Sequence, residues 1–235
     1  MCSPPSFATP ATAALIVTVL LALGTATPSR ATTDTPPIAE AFGTEASFID
    51  AVKTFQAARN GKTDEVDHAV AAFDALARTE PRLPLYPAYL GSALVLKGRD
   101  AWMPWSKLKY AQQGLDQIDQ ALAALKPEHD RQLLRGVPVS IETRLVAAST
   151  FINMPDSIFH RAAAGKTLIA EVIRDPTFAA SPPAFRATGY LTAAKAARQE
   201  EQLEEEIAQL KRALGVTDSG PAADQARARL KELGQ

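Results

Sequence analysis

The sequence predicts an all-α protein, a short right-handed superhelix of stacked antiparallel helix pairs. Apolar residues recur every three or four positions from Ser47 onwards, and no segment alternates between apolar and polar residues for long. A charged residue followed by proline closes a unit three times, at Pro81, Pro127 and Pro176, at intervals of 46 and 49 residues. A closing signal that returns at a nearly constant period is typical of repeat architectures.

Residues 1–31 are predicted to be a signal peptide. A largely apolar run of 12 residues, from Ala13 to Gly24, is shorter than the roughly 20 residues that cross a bilayer. Small residues suited to cleavage lie near Ala26 and Ala31. No Lys or Arg precedes the run, so an uncleaved anchor remains an alternative, and it would be the chain's one contact with a membrane. We therefore expect a periplasmic or secreted protein.

Cysteine usage and charge exclude several classes of function. Cys2 is the single cysteine and would leave with the signal peptide, so the mature chain would contain no disulfide and no cysteine metal site. The formal net charge is −1, with 25 basic and 26 acidic residues, and neither sign dominates. We expect no nucleic-acid partner from this balance.

Residues 32–45 are predicted to be a flexible tail, because the tail begins with the polar, proline-rich Thr32–Pro37. The helical repeat domain is then 46–235. In its first unit, one helix runs from Ser47 to Asn60-Gly61, and a second runs from a cap near Asp64 to Glu80.

The later units repeat this plan. The second unit has helices at roughly 85–97, ending at Gly98, and 107–125. The third begins after Pro138, breaks at Pro155 and continues in one partner helix to Asp175. The fourth runs from Pro183 through a charged stretch to Gly215, and a capping helix follows at 222–233.

Ten residues relate these units to a known family. They are Leu90, Gly91, Leu94 and Gly98 in a first helix, and Ala69, Phe73 and Pro81, then Ala164, Leu168 and Pro176, in second helices. At these spacings the units resemble divergent tetratricopeptide repeats, although the period here exceeds that family's 34 residues. The resemblance implies that neighbouring helix pairs stack and that their first helices line a concave binding face.

The motifs of catalysis and metal binding are incomplete in this chain, so we predict that it is not an enzyme and has no cofactor or metal. Gly165-Lys166-Thr167 ends like a phosphate-binding loop, but His160 stands where that loop needs a small residue. The three histidines are not paired at metal-binding spacing, and Asp64, four residues before His68, is expected to cap a helix.

The least ordinary local composition is the segment that contains both tryptophans, Trp102 and Trp105, on either side of Met103-Pro104. In one interpretation the two indoles fill a gap left by a long turn between helices. In the other, an indole faces a groove beside Arg99 or Lys107 and binds an acidic or aromatic ligand.

The resemblance places further polar residues on the concave face. Lys53, Gln56 and Ser92 fall at groove-facing positions, and Arg144 and Asn153 interrupt otherwise apolar first-helix runs. For Arg144 the alternative is a salt bridge within the turn or to the facing helix. The full predicted partner-binding set is Lys53, Gln56, Ser92, Arg99, Trp102, Trp105, Lys107, Arg144 and Asn153.

Together these features predict an exported helical-repeat protein that binds a peptide or protein partner. Its expected role is that of a scaffold or accessory factor of a cell-envelope complex. The alternative is a periplasmic carrier of a small molecule, held in a pocket between repeats near Trp102 and Trp105.

Overall fold

A computed structural model describes residues 38–235, with side chains from Glu45 onwards, and these residues belong to one compact unit. The predicted all-α fold class is confirmed. The α-helices of the described part, in chain order, are α1 (Ile38–Arg59), α2 (Glu65–Thr79), α3 (Leu85–Asp100), α4 (Pro104–Ala123), α5 (Val139–Asn153), α6 (Asp156–Phe159), α7 (Ala162–Arg174), α8 (Pro176–Ala180), α9 (Pro183–Gln199), α10 (Leu203–Val216) and α11 (Pro221–Glu232). A 3₁₀ turn (Pro127–Asp130) and two short strands, β1 (Leu133–Leu134) and β2 (Val137–Pro138), join α4 to α5.

The helices pack as neighbouring pairs that follow one another along the chain. Contacts join α1 to α2, α3 to α4, α5 to α7 and α9 to α10, while α11 packs on both α9 and α10. The first helices of successive pairs also touch in order, α1 with α3, α3 with α5, and α5 with α9. Each pair therefore shields apolar surface of the next, as the repeated pattern predicts.

The largest core cluster is aromatic and joins the first two pairs. The ring of Phe73 on α2 stacks on Tyr89 of α3 at 4.7 Å between centroids, and Phe48 and Phe55 of α1 pack edge-on against both rings. The buried residues of α2 recur every three or four positions, which is the spacing on which the helix was predicted.

Helix α3 does not end at Gly98 as predicted but continues to Asp100. Gly98 permits close approach instead, because a Cβ there would lie 2.9 Å from the carbonyl oxygen of Lys107 on α4. Gly91 has the same role, since its Cβ would lie 2.5 Å from the carbonyl oxygen of Gly114. The glycines of α3 thus set how closely the second pair packs.

The start of α1 and the partner of α5 also differ from the prediction. Helix α1 begins at Ile38, inside the segment predicted to be a tail, and the helix-favouring Ala39-Glu40-Ala41 follows directly. The predicted single partner of α5 is divided into α6 and α7, because His160 adopts a left-handed backbone with φ of 52° and ends α6. An isolated left-handed residue leaves no mark on the apolar spacing.

A β-hairpin between α4 and α5 was not predicted. Its turn residues Arg135 and Gly136 both have positive φ, 53° and 76°, as a tight two-residue hairpin requires. With two residues in each strand, the hairpin is too short to show a period-two pattern.

The predicted signal peptide, residues 1–31, and the start of the predicted tail lie outside the described residues. Within residues 38–235, none of the helices combines the length and apolar character needed to cross a bilayer.

Candidate functional site

The turn between α3 and α4 presents four exposed apolar side chains, which we name the indole patch. Their exposed fractions are 88% for Trp102, 41% for Met103, 67% for Trp105 and 52% for Leu108. The interpretation that the two indoles fill a gap in the turn is therefore wrong. All four lie within seven residues of the chain, and a concentration of exposed apolar side chains is typical of interaction surfaces.

Pro104 explains why the turn between α3 and α4 leaves the helix pair. Pro104 is the first residue of α4, and the residue before a proline is held away from helical geometry. Met103 accordingly adopts an extended backbone, with φ of −84° and ψ of 135°, and Ala101 is extended as well. The segment cannot continue α3, so Trp102 is carried away from the helix pair.

Arg99 anchors the turn to the end of α1. Its guanidinium donates to the carbonyl oxygens of Ala58 and Arg59, at 3.1 and 3.4 Å, and makes two bonds of 2.6 and 2.7 Å to Asp100. Lys107 donates in turn to the carbonyl oxygen of Arg99 at 2.9 Å. Arg99 and Lys107 are both engaged in holding the turn that carries the tryptophans. Their role in binding a partner stays a prediction.

Two other predicted residues make contacts between helices. Ser92 is 2% exposed, and its hydroxyl lies 2.6 Å from that of Thr150 on α5. The Nε of Arg144 lies 3.7 Å from a carboxylate oxygen of Glu171 on α7, which is the alternative of an ion pair with the facing helix. Neither residue adjoins the indole patch.

The remaining predicted residues lie on α1 and at the end of α5. Lys53 is paired with Asp50 at 3.0 Å on the surface of α1, and Gln56 is exposed one turn later. Asn153 accepts a hydrogen bond from Lys195 of α9, at 3.4 Å between Oδ1 and Nζ. The predicted set therefore falls into separate groups, of which the indole patch with Arg99 and Lys107 is the most compact.

A surface depression of about 280 Å³ lies near the turn, between α2, α3 and α4. Lys97 crosses it, with its ammonium 2.7 Å from Asp67 and 5.0 Å from the centre of the Tyr110 ring. The hydrogen bond to Asp67 raises the pKa of Lys97. Neither tryptophan lines this depression.

A second cavity, of about 260 Å³, lies between α9, α10 and α11 and was not predicted. One side of α9 lines it through Leu191, Ala194, Lys195 and Arg198. These residues recur every three or four positions in the sequence. That spacing predicts one face of a helix and does not indicate a cavity. Because the opposite wall comes from two later helices, the sequence pattern could not predict a cavity here.

Tyr89, Glu142 and Arg135 form a structural network away from solvent. The Tyr89 hydroxyl donates to Oε1 of Glu142 at 2.8 Å, and the Arg135 guanidinium binds the same oxygen. Burial raises the pKa of Glu142 and that of Tyr89. With Glu142 2% exposed and Tyr89 7% exposed, a substrate cannot reach the network from solvent.

Comparison with known proteins gave no match: no family model fits the chain, and no curated protein or solved structure is significantly similar to it. Among the residues that the structure describes, the acidic, histidine and cysteine side chains form no group able to hold a metal ion. The indole patch and the cavity beside α9 are therefore the two candidate functional surfaces.

Proposed function

We propose that this chain is an exported, tetratricopeptide-like helical-repeat protein that binds a protein or peptide partner. In this proposal it serves as a scaffold or accessory factor of a cell-envelope complex. The observation that carries the proposal is the exposure of Trp102 and Trp105 on one anchored turn. Export rests on the apolar run near the N-terminus, and the repeat type rests on the Leu-Gly and Ala-x₃-Phe spacings.

The indole patch has the composition of a binding hot spot. Tryptophan is enriched where interfaces derive most of their affinity, and it loses little conformational entropy when it binds. Burying one exposed indole contributes on the order of 2 kcal/mol or more to association. Exposed side chains of this size lower solubility, so a function in recognition accounts for their presence better than chance does.

The turn is also preorganised for binding. Arg99 ties it to α1, Pro104 fixes its exit into α4, and Gly98 packs against the backbone of Lys107. A rigid turn loses little conformational entropy when a partner binds. The partner surface we expect is an apolar groove wide enough for two indoles.

The carrier alternative receives less support. It requires indoles that line a pocket between repeats, whereas both indoles are exposed and neither lines the nearest depression. It stays a prediction, and an increase in tryptophan fluorescence on addition of a small apolar ligand would favour it.

We expect that Trp102→Ala lowers affinity for the partner about 30-fold, the effect of losing roughly 2 kcal/mol at a hot spot. Folding should be unaffected, because the indole has almost no intramolecular contact to lose. The measurement begins with capture from envelope extract by the full chain tagged at its C-terminus. Titration of the captured protein with wild-type and variant chains then gives both affinities.

The matched control is Leu133→Ala with Leu203→Ala, which also removes two exposed apolar side chains but far along the chain from the patch. The control should retain a captured protein that Trp102→Ala with Trp105→Ala releases. If both double variants retain it equally, the indole patch is not the binding surface.

A further inference from the structure

Lys195 occupies an unusual position on α9. Its side chain is half-buried, its ammonium lies 3.4 Å from Oδ1 of Asn153, and the residue is part of the lining of the cavity between α9, α10 and α11. Arg198 lines the same cavity three residues later and is exposed. Two basic residues of one helix therefore line one cavity.

These cations have no acidic partner in the described part of the chain. The two carboxylates of the cavity, Glu206 and Glu232, both bind Arg229, at 2.7 and 3.0 Å. Arg198 makes no ion pair among the described residues, and the one hydrogen bond of the Lys195 ammonium goes to a neutral amide. The charge of α9 at this cavity is therefore uncompensated.

Arg59 of α1 also repels the charge of Lys195. Burial lowers the pKa of Lys195, and repulsion from Arg59 and then Arg198 lowers it further. Burial also lowers the pKa of Arg59, whose guanidinium has no ion-pair partner in the described residues. Helix dipoles reduce the cost of this crowding, since Arg59 and Arg198 lie in the last turns of α1 and α9.

The walls of the cavity indicate what the rest of a ligand would be. Leu191 and Leu210 are buried apolar residues of its lining, and Ala194 and Ala228 line it too. Cations without partners beside an aliphatic wall complement a molecule with an anionic head and a short apolar tail.

We propose that Lys195 and Arg198 bind the carboxylate of a small aliphatic acid whose tail lies along the aliphatic part of the cavity lining, at Leu191 and Ala228. Glu206 and Glu232 are engaged by Arg229, so a bound carboxylate supplies the acidic partner that Lys195 and Arg198 lack and accepts hydrogen bonds from two charged donors. This site is distinct from the indole patch and does not depend on the function proposed for it.

The test uses hexanoate as the probe for the full chain, with sodium chloride matching the ionic strength. We expect hexanoate to raise the Tm of the wild-type protein in a saturable manner. Acetate, which lacks four methylene groups, should bind at least about tenfold more weakly. Lys195→Met should abolish the response, whereas Lys62→Met, the same charge change at an exposed loop residue, should preserve it.

The variants separate ligand binding from a structural role. If Lys195 serves a ligand, Lys195→Met removes a half-buried repelled charge, so the ligand-free protein should melt at the same or a higher temperature. If Lys195→Met fails to fold, hexanoate binding is measured on Arg198→Gln instead, which alters an exposed residue. This variant should bind hexanoate about tenfold more weakly than the wild type. The proposal is overturned if hexanoate does not stabilise the wild type, or if the folded variants respond as the wild type does.

Discussion

Replacing Arg135 with methionine is expected to lower the free energy of unfolding by about 3–5 kcal/mol, the usual effect of leaving one partner of a buried ion pair unpaired. Glu142 would then stay buried with the Tyr89 hydroxyl as its remaining hydrogen-bond donor. Methionine retains most of the side-chain volume, so lost packing contributes little. Urea unfolding at pH 7 measures the change.

The size of this effect follows from where the network lies. Arg135 sits at the hairpin turn, binds Glu142 of α5 and lies with its guanidinium 4.7 Å from the ring centre of Phe48 on α1. Its backbone N–H also donates to Glu45 of α1 at 3.2 Å. Arg135 therefore connects the first and third helix pairs, and Glu142 extends the network to Tyr89 of the second pair.

The loss of unfolding free energy caused by Arg135→Met should be smaller at acidic pH than at pH 7. Burial raises the pKa of Glu142 above its ordinary value of 4.5, so its contribution to stability is greatest below pH 4.5 and is lost as pH rises through its folded pKa. Removing Arg135 raises that pKa further. Between pH 7 and pH 5 the variant should therefore recover relative to the wild type.

Two controls isolate the ion pair. Arg131→Met alters an exposed arginine of the same connection and should change stability by less than about 0.5 kcal/mol. Adding Glu142→Gln to Arg135→Met removes both charges, and it should restore most of the loss because Gln still accepts from Tyr89. A deficit that is the same at pH 7 and pH 5 would contradict the account.

Gly114→Ala is expected to cost about 3 kcal/mol, at the upper end of the range for overpacked cores. The new Cβ would collide with the carbonyl oxygen of Gly91 and lie 3.0 Å from the backbone nitrogen of Val95. Backbone atoms cannot move aside as a flexible side chain can, so α3 and α4 must separate. Thermal unfolding should show a Tm lowered by roughly 6–12 °C.

Gly215→Ala is the matched control. It makes the same substitution in α10, where an added Cβ meets no atom within 4 Å. Helix propensity alone then acts, and the variant should be more stable by about 0.5 kcal/mol. If Gly114→Ala is stabilising too, the close approach of α3 and α4 is not a constraint on the fold.

The helices could be predicted because the evidence for them is local. The three- and four-residue spacing in α2 and the proline boundaries at Pro138 and Pro183 depend on residues a few positions apart. The hairpin was missed because its turn rests on the φ of Arg135, which is stabilised by contacts with distant helices. Gly98 was misread for the same reason, since a glycine at a helix end and one at a helix crossing look alike in sequence.

Sites were harder to predict than helices. The concentration of Trp102, Trp105, Arg99 and Lys107 was visible in the sequence, because they are near neighbours. Whether the indoles are buried could not be predicted, and the structure exposes both. The cavity beside Lys195 draws its walls from α9, α10 and α11, so no short window of sequence contains it.

By itself the sequence determined an all-α chain, its division into successive helix pairs and the unusual turn that holds both tryptophans. The tertiary structure alone decided that Ser92 and Arg144 join helices, that Glu142 is buried with Arg135, and that Lys195 lies without an acidic partner among the described residues. The physical reason is range. Helix formation depends on neighbours along the chain, whereas burial and charge compensation depend on side chains that only folding brings together.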